Sequence, residues 1–230
     1  MNPAAANPAF VTAAVRARRR ARVALLVLAP AMALLAACSI IPEKTPLSIY
    51  APDPRIQSDP AWPTVDWQLV VPRPNASALV DSPRIAVRPV PGELQVYKGA
   101  VWTQPAPEIV QDAVVHGFED SGRIQGVARP GEGISADYQL QLDIRRFDSD
   151  YGADGTPAAT IEIGAKLVAG DSNQVVAAKL FRHTAPAAAT DIGHVAAAFE
   201  QALGSATGAI VGWTLVEGQR DAGSRNPPAP

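Results

Sequence analysis

The chain has 230 residues, of which 20 are basic and 22 acidic, with a single cysteine, three histidines and 47% hydrophobic side chains. That balance excludes a basic nucleic-acid-binding surface, and one cysteine excludes both an internal disulfide and a cysteine-based zinc site. Only 6% of the residues are aromatic, so a core must be built from small and β-branched side chains around a few large anchors.

The N-terminus has the layout of an export signal. Arg16, Arg18, Arg19, Arg20 and Arg22 form a basic front, Val23 to Ala37 an apolar run, and Leu35-Ala36-Ala37-Cys38 reads as a lipobox. A membrane-spanning helix is disfavoured, because the run falls short of about 20 apolar residues and contains Pro30. The expectation is cleavage before Cys38 and acylation of its thiol and new amino group with palmitate-type chains, which together anchor stably where one chain holds only marginally. Residue 39 is Ser, not the Asp that commonly retains bacterial lipoproteins at the inner membrane, so sorting to the periplasmic face of the outer membrane is expected. Residues 1–37 take five arginines and no acidic group with them, leaving 15 basic against 22 acidic side chains, a net charge of −7. The remaining length suits one sizeable core.

Residues 38–63 contain prolines 42, 46, 52, 54, 60 and 63 and little apolar periodicity, which predicts an extended, acylated tether holding a domain over residues 64–217 away from the membrane. Leu47 to Tyr50 is the one part expected to add an edge strand. Trp67 to Val71 and Arg84 to Arg88 read as strands, and Glu93 to Tyr97, following Pro91-Gly92, completes a hairpin over 84–97.

Pro107 through Asp120 predicts a helix, with Ile109, Val110, Ala113, Val114, Gly117 and Phe118 on one side and Asp112, His116 and Glu119 on the other. Pro107 suits its first turn and Gly122 its stop. Strand-like runs follow at 123–128, 137–147, 159–168 and 175–183, the last three as an antiparallel meander. Thr190-Asp191 offers an N-cap to a closing helix of about 20 residues ending near Trp213, in which Gly204 and Gly208 permit close packing against the sheet. Residues 218–230 read as a disordered tail. The predicted class is α/β: a single domain with a mixed or largely antiparallel sheet and two main helices. Trp62, Trp67, Trp102, Phe118, Phe147, Phe181, Phe199 and Trp213 are its expected anchors.

Nothing in the chain specifies catalysis. Asp148 to Gly155 places Gly152, Ala153 and Ala159 at calcium-loop positions 5, 6 and 12, where an EF-hand needs an oxygen ligand, Gly and Glu, so it reads as a solvated acidic hairpin loop. Gly131-Glu132-Gly133 lacks a third glycine and a following helix. His116, His183 and His194 have no metal-ligand spacing, and no Gly-x-Ser-x-Gly elbow is present. Neither metal, cofactor nor enzymatic activity is expected.

Several segments in order carry a resemblance: the lipobox, Ser82 to Val87, Leu94 to Tyr97 with Trp102 and Pro105, Ala136 to Leu140 leading into Arg146-Phe147, and Val195 to Leu203 with Trp213. Together they resemble the ABC-type transport auxiliary lipoprotein family, which includes paraquat-inducible protein C-like lipoproteins. The resemblance implies a non-catalytic outer-membrane lipoprotein subunit of an MCE-type ABC system that moves lipids or other hydrophobic molecules. Its partners would be an MCE-domain protein with its permease and ATPase, and homo-oligomerisation is plausible. The alternative is a structural lipoprotein assisting assembly of outer-membrane or cell-wall machinery. For the partner-binding face the expectation falls on Tyr97, Trp102 and Pro105, because Trp102 sits in a Gly- and Pro-flanked connection where a large ring is hard to bury. Burial of Tyr97 and Trp102 beneath the first helix is the competing expectation.

Overall fold

The computed structural model describes residues 46–152 and 155–225. Among the described residues nine strands and two helices follow in order: β1 (Ser48–Tyr50), β2 (Val65–Val70), β3 (Asn75–Ala76), β4 (Arg84–Arg88), β5 (Gln95–Trp102), α1 (Ala106–Ser121), β6 (Ile124–Ala128), β7 (Tyr138–Tyr151), β8 (Pro157–Ala169), β9 (Val175–Pro186) and α2 (Ile192–Arg225). They form one open, mixed sheet with both helices packed against it, an α/β architecture as expected.

The 14-residue β7 organises the sheet. Along one edge it accepts three segments in chain order, all parallel: β2 (Leu69↔Tyr138), β3 (Asn75↔Asp143) and β4 (Ala86↔Asp148). Along the other it pairs antiparallel with β8, which pairs antiparallel with β9. β6 extends the sheet beyond β2, and β5 then β1 extend it beyond β4. The 84–97 hairpin and the three-strand meander therefore form as their alternating side chains predict.

Alternation places Tyr138, Leu140, Leu142 and Ile144 in the core and leaves Gln141, Asp143 and Arg145 in water. A bulge between Ile144 and Arg146 then shifts the pattern by one residue, turning Phe147 into the core and Asp148 to the opposite face of the strand, where it is also buried. The same strand thus supplies core and polar network from a single continuous ladder.

α1 buries Ile109, Val110, Val114 and Phe118. Pro105 stands at its N-cap and accepts the amides of Glu108 and Ile109 through its carbonyl, while Gly122 ends it in the left-handed region at φ 61°. At Gly117 a Cβ would stand 2.8 Å from Thr207 Cγ2 of α2, so glycine lets the two helices approach. α2 starts at the predicted cap, with His194 N–H donating to Asp191 Oδ1 at 3.3 Å.

Two boundary expectations are corrected. α2 runs 34 residues to Arg225, so the expected disordered tail is helical at least that far. Tyr138 donates a 2.7 Å hydrogen bond to Asp221 Oδ2, Arg225 pairs with Asp221 and Asp171, and the Trp67 ring lies against Gly218. These tertiary contacts stabilise a polar segment that has no amphipathic stripe of its own.

The second correction concerns the tether. From Pro46 onward it is a strap bound to the domain. β1 pairs parallel with β5, Asp53 N–H reaches Glu200 Oε2, Ser58 Oγ donates to Ser121 O, and Arg123 donates to Pro60 O. The strap meets α2 at Gly204 and Gly212: a Cβ at Gly204 would stand 3.0 Å from the Arg55 carbonyl, and the Trp62 indole lies against Gly212. The α2 glycines thus accommodate the strap, whereas a Cβ at Gly208 would meet nothing within 4 Å.

Candidate interaction face

The segment Tyr97 to Pro107 was the expected partner face, and the structure divides it. Trp102 ends β5 and is 2% exposed. Its ring meets Phe199 edge-on at 5.1 Å and Phe147 at 6.0 Å, in a cluster that joins β5, β7 and α2. Such a ring offers no area to a partner, so Trp102 is corrected from interface anchor to core. The local feature that permits this is Gly99, at φ 70°, inside a register shift between β4 and β5. A glycine within a strand pattern signals a bulge rather than a loop, and here the bulge turns the strand end inward.

Burying the Trp102 ring leaves its indole N–H without a hydrogen-bond partner among the described residues. A buried unsatisfied donor costs roughly 1–3 kcal/mol, which the three-ring packing must exceed. Tyr97 is half-buried and shares a 2.8 Å hydrogen bond with Ser149 Oγ. Burial pushes its phenol up to about 12, opposed by the Ser149 hydrogen bond and reinforced by Tyr151. Pro105 is a helix cap. The exposed groups nearby are Val90, Leu94 and Tyr151.

Asp148 to Asp150, read from sequence as part of a solvated loop, belong to β7. Asp148 is 2% exposed and is gripped by two guanidinium groups: Arg146 Nη2 at 2.5 Å and Arg88 Nη2 at 3.3 Å. Arg146 also reaches Asp150, whose carboxylate accepts Thr160 Oγ1 at 3.2 Å. Each carboxylate is matched by a cation, so the cluster is a closed structural network in which the hydrogen bonds that Arg146 donates to Asp148 hold its charge more firmly than usual.

The histidines stay apart. His116 is exposed on the polar side of α1, His183 is partly buried on β9 with its pKa lowered by desolvation, and His194 pairs with Asp191 at 2.5 Å. Among the described residues no three His, Cys, Asp or Glu side chains could hold a metal ion. The main concavity, about 560 Å³, is a shallow groove between the strap and α2, lined by Arg55, Trp62, Gln201, Gly204 and Gly208 without a nucleophile and base in contact. Cys38 lies outside the described residues. Among them, no helix is long and apolar enough to cross a membrane.

The family model of the ABC-type transport auxiliary lipoprotein component matches residues 47–211. The chain belongs to that family. The match begins within the strap, one residue after the described structure starts, rather than at residue 64. The crystal structure of protein XCC0632 from Xanthomonas campestris is 54% identical, superposes with a TM-score of 0.74, and is matched over 76% of this chain and 98% of that one. A second solved structure of an uncharacterized protein, 12% identical, covers 72% of this chain and 97% of its own with a TM-score of 0.57, which shows a shared fold alone. The uncharacterized protein bll6063 of Bradyrhizobium diazoefficiens is 30% identical over 158 residues, or 68% of this chain. Those residues span 42% of that relative, so this chain corresponds to less than half of its length.

The family is one of auxiliary lipoprotein components of ABC-type transport, a family of transport auxiliaries rather than of enzymes.

Proposed function

We propose that the protein is a non-catalytic lipoprotein subunit of an MCE-type ABC transport system, anchored through acylated Cys38 to the outer membrane on its periplasmic side. There it assists movement of lipids or other hydrophobic molecules across the envelope. The observation that carries this reading is the family match over 47–211, which coincides with the strapped domain.

The strap sharpens the geometry of this role. The bound part of the chain begins at Pro46, and Leu47 and Ile49 at the start of the strap are exposed apolar side chains. Homo-oligomerisation would multiply attachment to a ring-shaped partner.

Affinity purification of the acylated full chain from solubilised envelopes tests the proposal. The expected result is co-purification of an MCE-domain protein with its permease and ATPase, from material that fractionates with outer-membrane markers. Recovery of peptidoglycan enzymes or outer-membrane assembly factors in their place would contradict it, and fractionation with the inner membrane would contradict the anchoring site.

A further inference from the structure

β9 is a 12-residue strand whose sole pairing among the described residues is with β8. Its ladder with β8 is unbroken from Ala177↔Leu167 to Pro186↔Ala158, and its other edge carries a long row of unpaired backbone donors and acceptors. Such an edge is a template for a further strand unless it is short, bulged, covered or interrupted by proline, and charged side chains along it restrict which strand can add. Here the irregularity lies at the start, between Leu167 and Val168 on β8, and Pro186 stands at the end. The middle is regular.

The side chains along that middle form an unusual set for a chain with an acidic excess. Lys179 and Arg182 are exposed, and Leu180 between them is 47% exposed. Lys179 lies 5.2 Å over the Phe181 ring and has no ion-pair partner among the described residues. Arg182 reaches Glu162 at only 3.7 Å and remains 59% exposed at its side chain. Behind this edge, Phe181 packs on Trp213 of α2 and fixes the strand in place.

We infer that the free edge of β9 binds an extended, acidic segment of another polypeptide by strand addition, with carboxylates placed opposite Lys179 and Arg182 and an apolar side chain opposite Leu180. Directly opposed side chains across a ladder lie about 4.5–5.5 Å apart, so a glutamate at each of those positions meets its cation. Lys179 and Arg182 project to opposite faces of the sheet, and the pair therefore reads spacing as well as charge. The inference stands on the fold alone and goes beyond the transport reading, so its failure would leave that reading untouched.

The probe is a ten-residue, end-blocked peptide with a central Glu-Val-Val-Glu flanked by threonines, which presents the same pattern in either strand direction. Titrated into the full chain in detergent, it is expected to bind and to slow hydrogen exchange of the 175–186 amides. A Lys-Val-Val-Lys version should bind at least tenfold more weakly, and a fully N-methylated version should not bind. The K179E/R182E double variant should reverse the preference between the two charged peptides, a reversal that only folded protein can give. Absence of binding at millimolar peptide, equal affinity for both charge types, or slowed exchange confined to other elements would overturn the inference.

Discussion

Two of the terminal strands of the sheet, β1 and β9, finish it in opposite ways. Beyond β5 the last strand is β1, three residues contributed by the proline-rich strap, whereas beyond β8 the last strand is β9, twelve residues long and regular through its middle. A very short terminal strand leaves little to pair with, and a long one leaves much. The difference locates the places where the fold is closed by its own chain and where it remains available. It also explains why the strap belongs to the domain, since removing it would bare β5 and uncover the α2 glycines.

The largest expected effect tests the closed side. Trp102→Ala should destabilise the full chain by about 3–5 kcal/mol, because it empties the site between Phe147 and Phe199. At this chain length that corresponds to a fall in melting temperature of roughly 10 °C, readable by thermal denaturation. A near-unchanged midpoint together with lost partner binding would return Trp102 to the surface.

Next comes the charge network beside β4. Asp148→Asn should cost about 2 kcal/mol in urea unfolding, because Arg88 and Arg146 lose the buried carboxylate between them while keeping partial access to water. Arg145→Gln, next to Arg146 in the chain but exposed and 3.6 Å from Asp143, should be nearly neutral.

The strap gives a sign test along one helix face. Gly204→Val and Gly212→Val should each destabilise by about 1–3 kcal/mol and open residues 46–63 to proteolysis, since each side chain meets the strap. Gly208→Ala, facing open space, should stabilise by about 0.5–1 kcal/mol. Equal effects at all three would show that the strap does not bear on α2.

These positions also show what can be read from sequence. Arg84 to Arg88, the β7–β9 meander and α1 were legible because their apolar side chains repeat at the spacing of their own backbone. The strap was not, because proline-rich chain has no period and its contacts are made to glycine backbone in another element. The sequence predicts α2 too short, since its last turns are stabilised by Tyr138 and Trp67 from remote strands and by Asp171 from the turn between β8 and β9. Trp102 reads from sequence both as a core anchor and as a partner contact, and its packing on Phe147 and Phe199, from elements remote in the chain, decides for the core. The polar character of Asp148 was visible, but its burial depends on Arg88, sixty residues away.

The smallest expected effect is a titration. Burial holds the phenols of Tyr97 and Tyr138 up to about 12, against an ordinary value near 10. Their contribution to stability is fully present below pH 10, where the unfolded phenol is still neutral, and is lost as pH rises toward 12. Absorbance of phenolate at 295 nm should show two late-titrating tyrosines, and Y97F and Y138F should each remove one.

The anchored-lipoprotein account turns on Cys38. Mass spectrometry of the full-length gene product extracted from envelopes measures this directly. The predicted species begins at Cys38 and carries fatty acyl groups on its sulfur and amino terminus; a free Cys38 thiol in a product retaining residues 1–37 would contradict the account.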